Sequence, residues 1–301
     1  MGYKQVLVGI VVAVIAVISS NIRWQYVFKH RTGRVLPYTL VEVEGTDHVP
    51  VVLLHGMWHS PQYFDNLQFM LQGSGFTSYA ISLLPGERAL YGGTQTELIR
   101  DLEKTFESIE RLKDSQIILL GHSQGGLIVQ SAMKYSRAIA GRTKGIVLLG
   151  TFPFELKPFL ALLTQKKNMY QLIPYTYLSL TGKLYSKEYT KHIFLMDETD
   201  YEGDSSMKSY IERLMAAPSD GFITVSHFLT SGDVGVVSEK ETLVVGAEHD
   251  IIYPPKMLES EFRKRFPNSV HVVAANQAHC FVDVGWEESM GGPLLEWIKK
   301  L

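Results

Sequence analysis

The chain has 301 residues, with 29 Lys and Arg against 31 Asp and Glu, giving a formal net charge of -2. That length holds one large α/β domain, with or without an inserted subdomain, and the near-neutral, interspersed charge offers a nucleic acid no electrostatic footing, so a small-molecule or lipid substrate is expected. The single cysteine, Cys280, excludes an intrachain disulfide, and no cluster has zinc-ligand spacing.

The amino terminus opens on an apolar run, Val6 to Ile18, which Ser19, Ser20, Asn21 and Ile22 extend. A spanning helix needs about 20 such residues, and a signal-peptide core needs fewer. Arg23, Lys29, Arg31 and Arg34 follow the run, against Lys4 in front of it, a bias that holds this flank in the cytoplasm. Residues 1–34 are therefore expected to form a single-pass N-terminal anchor with a basic flank, making a membrane a partner and leaving the main domain cytoplasmic. Cleavage after Ser19 with secretion is the alternative, and a buried core helix is the third reading.

Residues 35–301 read as one α/β domain. "YTLVEVE", from Tyr38, alternates as a half-exposed antiparallel strand does, whereas "VVLL" at Val51 to Leu54 is continuous and suits a strand covered on both faces. Ser60 and Pro61 open a helix that ends by Gly73 and Gly75. "SYAIS", Ser78 to Ser82, is the next strand. Thr94 and Glu97 have capping-box spacing and start a helix running to about Lys113. "IILL" from Ile117, a helix to about Arg137, and "GIVLLG" from Gly145 continue the alternation. From about 152 to 231 the chain turns rich in Phe, Leu, Tyr and Met with helical spacing and no buried-strand run, so a helical cap is expected there. "TLVVG" from Thr242, a helix near Pro255 to Arg265, "VHVVA" from Val270 and a terminal helix ending "LLEWIKKL" complete the domain.

The chemistry is concentrated where these strands end. "GHSQGG" is a Gly-x-Ser-x-Gly string between a strand and a helix, the pattern of a nucleophile elbow. A serine in so sharp a turn needs hydrogen-sized neighbours at Gly121 and Gly125, and the helix N-terminus behind it favours developing negative charge. A serine is a poor nucleophile without a base and a group to orient that base. "GAEHDIIYPP" places Asp250, and "NQAHCFVD" places His279, just beyond later strands of the same sheet, in the chain order Ser123, Asp250, His279. Glu248 is a rival acid. "VVLLHGMWHS" ends a strand in His55-Gly56, after which the Met57 N–H faces the site alongside that of Gln124, a pair of donors suited to an oxyanion.

These four motifs, "HGMWHS", "GHSQGG", "GAEHDIIYPP" and "QAHC", resemble those of the α/β-hydrolase superfamily from about Tyr38 to the carboxyl terminus, and are most similar to capped serine esterases and lipases. The resemblance implies a mostly parallel central sheet flanked by helices with an inserted helical cap. It also implies Ser123 as nucleophile, Asp250 as orienting acid, His279 as base and Met57 with Gln124 as oxyanion donors. One departure is "SLLPGERA", where the family carries an acidic residue and a glycine around the Pro-Gly loop. No cofactor and no metal are implied.

The reaction expected is hydrolysis of carboxylic esters, apolar or acyl-lipid ones given the aromatic cap, through an acyl-serine. Trp58, Phe152 and Phe154 are the expected substrate-binding residues. Thioesterase, amidase or acyltransferase chemistry with the same three residues is the nearest alternative, and a non-catalytic ligand-binding protein on the same scaffold is another. His122 is expected to point away from the cleft, His55 to brace the oxyanion loop, and Cys280 to be a small packing residue. The absence of a Gly-x-Gly-x-x-Gly fingerprint argues against a dinucleotide-dependent oxidoreductase.

Overall fold

The computed structural model describes residues 33–83, 95–151, 186–195, 205–217, 235–282 and 290–301. Seven strands form one sheet: β1 (Tyr38–Val41), β2 (Val51–Leu54), β3 (Ser78–Ile81), β4 (Ile117–His122), β5 (Thr143–Leu149), β6 (Glu241–Ala247) and β7 (Ser269–Ala274). Their order is β1-β3-β2-β4-β5-β6-β7. β1 runs antiparallel to β3, and every other pairing is parallel.

The burial of each strand follows from its residues. β2, β3 and β4 are buried at every position, as continuous apolar runs require when helices cover both faces. β1 alternates between exposed and half-buried residues at the sheet edge. The strand ends after Val41 although the alternation of "YTLVEVE" continues. Thr77 instead takes up the backbone of Val43, Oγ1 accepting from its N–H at 3.0 Å, and the chain turns at Gly45, whose φ is 65°.

The helices are α1 (Asp65–Gly73), preceded by a 3-10 turn (Pro61–Phe64), α2 (Gln95–Ser108), the single turn α3 (Glu110–Lys113), α4 (Gln124–Tyr135), α5 (Arg137–Arg142), α6 (Lys187–Phe194), α7 (Ser205–Ala216), α8 (Pro255–Arg265) and α9 (Gly292–Lys299). One expected helix is broken: between α2 and α3, Ile109 adopts an extended conformation at the N-cap of the new turn. The helix expected to about Arg137 ends at Tyr135, and there Ser136 is extended, its Oγ accepting the Ile139 N–H at 3.0 Å to start the further short helix α5. Ser60 holds the N-cap position but its side chain makes no capping hydrogen bond. Thr94 and the "PGERA" part of the departing loop lie outside the described residues.

Two strand connections position the site. From β2 the chain returns to β3 on one side, then crosses to β4 on the other, so β2 and β4 are neighbours with diverging connections. A crevice opens at the carboxyl ends of strands at such a switch point. The other is the connection between β5 and β6, which carries α6 and α7. The remainder of the expected cap, including Phe152 and Phe154, lies outside the described residues.

The expected membrane anchor is corrected. Among the described residues no helix is long and apolar enough to cross a membrane. The longest, α2, has 14 residues. At 1.5 Å per residue that is about 21 Å, short of a hydrocarbon core of about 30 Å, and its sequence is amphipathic with charged residues along one face. The apolar run from Val6 to Ile22 lies outside the described residues. The membrane partner, the cytoplasmic placement and the secreted alternative that rested on it are withdrawn.

Candidate active site

β4 delivers Ser123 into a strained turn. Its φ of 52° and ψ of -119° are disfavoured for any residue with a side chain, and the surroundings over-determine them. The Ser123 N–H donates to Leu149 O at 2.9 Å, and its carbonyl accepts from Gly126 N at 3.0 Å and from Thr151 Oγ1 at 2.6 Å. The turn can be this tight only because two neighbours lack side chains. A Cβ on Gly125 would overlap the Leu54 carbonyl, and one on Gly121 would collide with the backbone of Gly125. Ser123 then caps α4, so its hydroxyl lies at the positive end of that helix.

β6 and β7 bring in the two partners. Asp250 follows β6, and its Oδ1 accepts the N–H groups of Ile252 at 2.9 Å and Tyr253 at 2.8 Å, which fixes the carboxylate plane. Its Oδ2 accepts from His279 Nδ1 at 2.8 Å. A ring whose Nδ1 carries the proton presents an unprotonated Nε2, and that atom accepts from the Ser123 hydroxyl at 3.0 Å. The three side chains, 29 and 156 residues apart in sequence, form one continuous hydrogen-bonded chain. All are buried: Ser123 is 3% exposed, Asp250 3% and His279 1%. Glu248 is turned elsewhere, its Oε2 accepting from the Asn276 N–H at 3.1 Å.

The loop after β2 lies against the serine. A Cβ on Gly56 would come within 2.9 Å of the Ser123 Cβ, so the backbone here approaches closely because residue 56 has no side chain. Met57 follows directly. The backbone N–H of Gln124 is the first of α4, in the turn where a helix leaves amides without intrahelical acceptors. Trp58 adopts a positive φ of 58° and is 1% exposed, packed edge-on against Phe194 of α6 with ring centroids 5.6 Å apart. Trp58 thus packs against α6.

Histidines surround this site. His55 Nδ1–H donates to Gly56 O at 2.8 Å, and its Nε2 accepts the Leu83 N–H at 3.0 Å, tying the end of β2 to the end of β3. His122 is fully buried and donates from Nε2 to the His279 carbonyl at 3.0 Å, with the two rings 4.9 Å apart. His59 donates from Nδ1 to Met57 O at 2.7 Å. Burial holds all three neutral: His55 is pushed down to about 4 and His59 to about 3, and His122 lies well below the usual range, because none has the water needed to solvate a cation.

These histidines have a measurable consequence for stability. Unfolded imidazoles titrate near about 6.5. Below that pH the unfolded chain takes up protons that the folded chain refuses, so stability is complete above about 6.5 and falls as the pH drops toward the folded values. Each such histidine contributes about 1.4 kcal/mol per pH unit, and His55 and His59 together about 3 kcal/mol per unit between roughly pH 6 and 4. Denaturant melts across this range should show the decline, and His55→Gln should reduce its slope by about one proton. An unchanged slope in that variant would show that His55 is not held neutral by burial.

Several participants carried no signal in the sequence. Phe194 lies 5.8 Å from the His279 ring, and its carbonyl accepts the Cys280 N–H at 2.9 Å. Tyr253 packs edge-on at 5.1 Å from His279. Tyr210 of α7 donates its hydroxyl to His59 Nε2 at 3.0 Å across a separation of 151 residues. Aromatic residues at helical spacing look alike in sequence whether they face a core or a site, and only the packing of α6 and α7 distinguishes them.

A family model described as alpha/beta hydrolase fold matches residues 49–285. No curated protein matches the sequence. Among solved structures, a thermophilic esterase from Thermogutta terrifontis is similar with a TM-score of 0.65 at 19% identity, over 88% of this chain and 93% of that one. A bromoperoxidase from Bacillus anthracis gives 0.61 at 18%, over 87% and 94%. A monoacylglycerol lipase from Paleococcus ferrophilus gives 0.60 at 19%, over 88% and 98%. At these identities the likeness is one of fold.

Proposed function

The chain belongs to the α/β-hydrolase family, and on that premise we propose that it is a serine hydrolase that cleaves carboxylic esters through an acyl-serine intermediate. The observation that carries this reading is the hydrogen-bonded chain from Asp250 through His279 to Ser123, with the serine held at a helix N-terminus. In the proposed reaction Ser123 Oγ attacks the ester carbonyl as its proton passes to His279 Nε2. Asp250, bonded to Nδ1, holds the ring in the accepting tautomer and stabilises the imidazolium. The carbonyl oxygen becomes an oxyanion facing the amides of Met57 and Gln124. His279 then returns the proton to the departing alkoxide, leaving an acyl ester on Ser123. Water, deprotonated by the same imidazole, attacks that ester, and His279 passes the proton to Ser123 Oγ as the acyl bond breaks and the acid departs.

The neutral histidines support this reading. His122 lies against the base and His59 packs on His122 in turn, and a charge on either would oppose the imidazolium that must form at His279. Trp58, Phe194 and Tyr253 give the surroundings an apolar, aromatic character, which favours apolar acyl groups or acyl lipids as substrates. The stretch 152–231 is proposed to cover the site as a cap, with Phe152 and Phe154 among its substrate contacts. The test is to treat the full chain with a fluorophosphonate probe and locate the adduct by peptide mass. Labelling at Ser123, together with hydrolysis of aryl esters of graded acyl length, is expected. A folded protein that takes no label would sink the enzyme reading in favour of a non-catalytic binder.

A further inference from the structure

We propose that Tyr210 and His59 form a positioning relay through which helix α7 sets the Met57 amide for oxyanion binding, an inference that rests on Ser123 being the nucleophile. The relay is a line of two hydrogen bonds: the Tyr210 hydroxyl donates to His59 Nε2 at 3.0 Å, and His59 Nδ1–H donates to the Met57 carbonyl at 2.7 Å. Its far end lies in the insertion between β5 and β6. Its near end lies in the loop whose Gly56 abuts Ser123.

That loop needs holding. Trp58 has φ 58°, a left-handed conformation that is unfavourable for a bulky side chain and persists only when neighbours enforce it. Relaxing this φ means rotating the peptide between Met57 and Trp58, which swings the Met57 carbonyl and pulls on the Met57 Cα that also bears the amide. Two contacts oppose that rotation, the bond from His59 Nδ1–H to that carbonyl and the packing of Trp58 on Phe194, while the preceding peptide, which contains the Met57 N–H, is held at the Gly56 carbonyl by His55 Nδ1–H at 2.8 Å and the His59 N–H at 3.4 Å. Of these, the first is short and direct, and it requires the proton on Nδ1. A donor at Nε2 selects that tautomer, because the ring then accepts at Nε2 and donates at Nδ1. Tyr210 supplies that donor. Among the described residues the other group near Nε2 is the Cys280 thiol at 3.5 Å, a weak donor. The helix therefore acts on the oxyanion loop through the protonation pattern of one imidazole, without itself touching the substrate.

The experiment compares the wild-type chain with Tyr210→Phe, His59→Phe and the double variant, using an aryl butanoate ester as substrate and following thermal melting in parallel. Phe at position 59 removes the Nδ1 donor and the Nε2 acceptor together, so either single variant releases the directed hold on the Met57 carbonyl. Each is expected to lose about ten- to a hundredfold in kcat, the range for a small misplacement of a reacting group, with KM within about twofold. The double variant should fall no more than about twofold below the worse single one, since groups acting as one unit are not additive. A Tyr210→Phe protein that melts lower but keeps its kcat would overturn the relay and leave Tyr210 as a structural tie, as would losses that multiply in the double variant. Fluorophosphonate labelling of wild-type Ser123 is recorded first. Labelled wild type with unaffected variants defeats only the relay, whereas a wild type that neither labels nor turns over defeats the nucleophile reading and the relay with it.

Discussion

Ser123→Ala is expected to lower ester turnover by several orders of magnitude, on the order of 10^5 in kcat, while leaving the fold intact. The oxygen removed makes one hydrogen bond in the described structure, to His279 Nε2. The backbone bonds that enforce its strained conformation all involve the Ser123 amide and carbonyl, which alanine retains. An alanine side chain bears the same φ of 52° at no greater steric cost than serine. Circular dichroism and melting temperature should therefore match wild type while hydrolysis and fluorophosphonate labelling disappear together. Ester hydrolysis at the wild-type rate by a folded Ser123→Ala protein would remove the nucleophile assignment. The residual rate is informative as well, because oxyanion donors and binding continue to act without the serine.

The second large effect is expected at Asp250, and its logic is one of tautomers. In Asp250→Asn the oxygen best stays where Oδ1 now accepts two amides, from Ile252 and Tyr253. The amide NH2 then takes the place of Oδ2 opposite His279 Nδ1. Two donors cannot face each other, so the ring proton moves to Nε2, where it confronts the Ser123 hydroxyl and can no longer receive its proton. A loss of about 10^4 in kcat follows from such a reversal, with KM little changed. Asp250→Ala should lose a similar factor and also some stability, since it leaves the two amides without their acceptor. If Asp250→Asn retains most of its activity, the orienting carboxylate lies elsewhere. Glu248→Gln provides the contrast: its carboxylate caps Asn276 and does not reach His279, so turnover should hold.

The kinds of residue at the strand ends were legible because local physics specifies them. A buried parallel strand must be a continuous apolar run, and β2, β4 and β5 stand where such runs do. A turn as tight as the one at Ser123 needs glycines at fixed offsets, so Gly121 and Gly125 announce the elbow before any fold is known. Asp250 and His279 follow by position, each just past a strand that parallel pairing must align with β4. Even the rivalry between Asp250 and Glu248 was visible, though two carboxylates two residues apart cannot be ranked without the direction of their side chains.

Other features rest on long-range packing, to which a linear pattern is blind. The helix expected to run to about Lys113 is interrupted where Ile109 takes an extended conformation, since single-residue propensity is a weak guide to such breaks. An apolar run at the amino terminus invites a membrane reading from composition alone, which the described helices do not support. The sequence by itself determined the alternating α/β chain, the tight serine turn and the candidates for acid and base, because each depends on a residue type within a few positions of a strand end. Only the tertiary structure decided that three buried histidines stay neutral, that Trp58 packs against α6, and that Tyr210 reaches His59. The hydrogen bond between those two spans 151 residues, and no propensity or periodicity encodes which distant side chain will arrive at a lone pair until the sheet has brought its strand ends together.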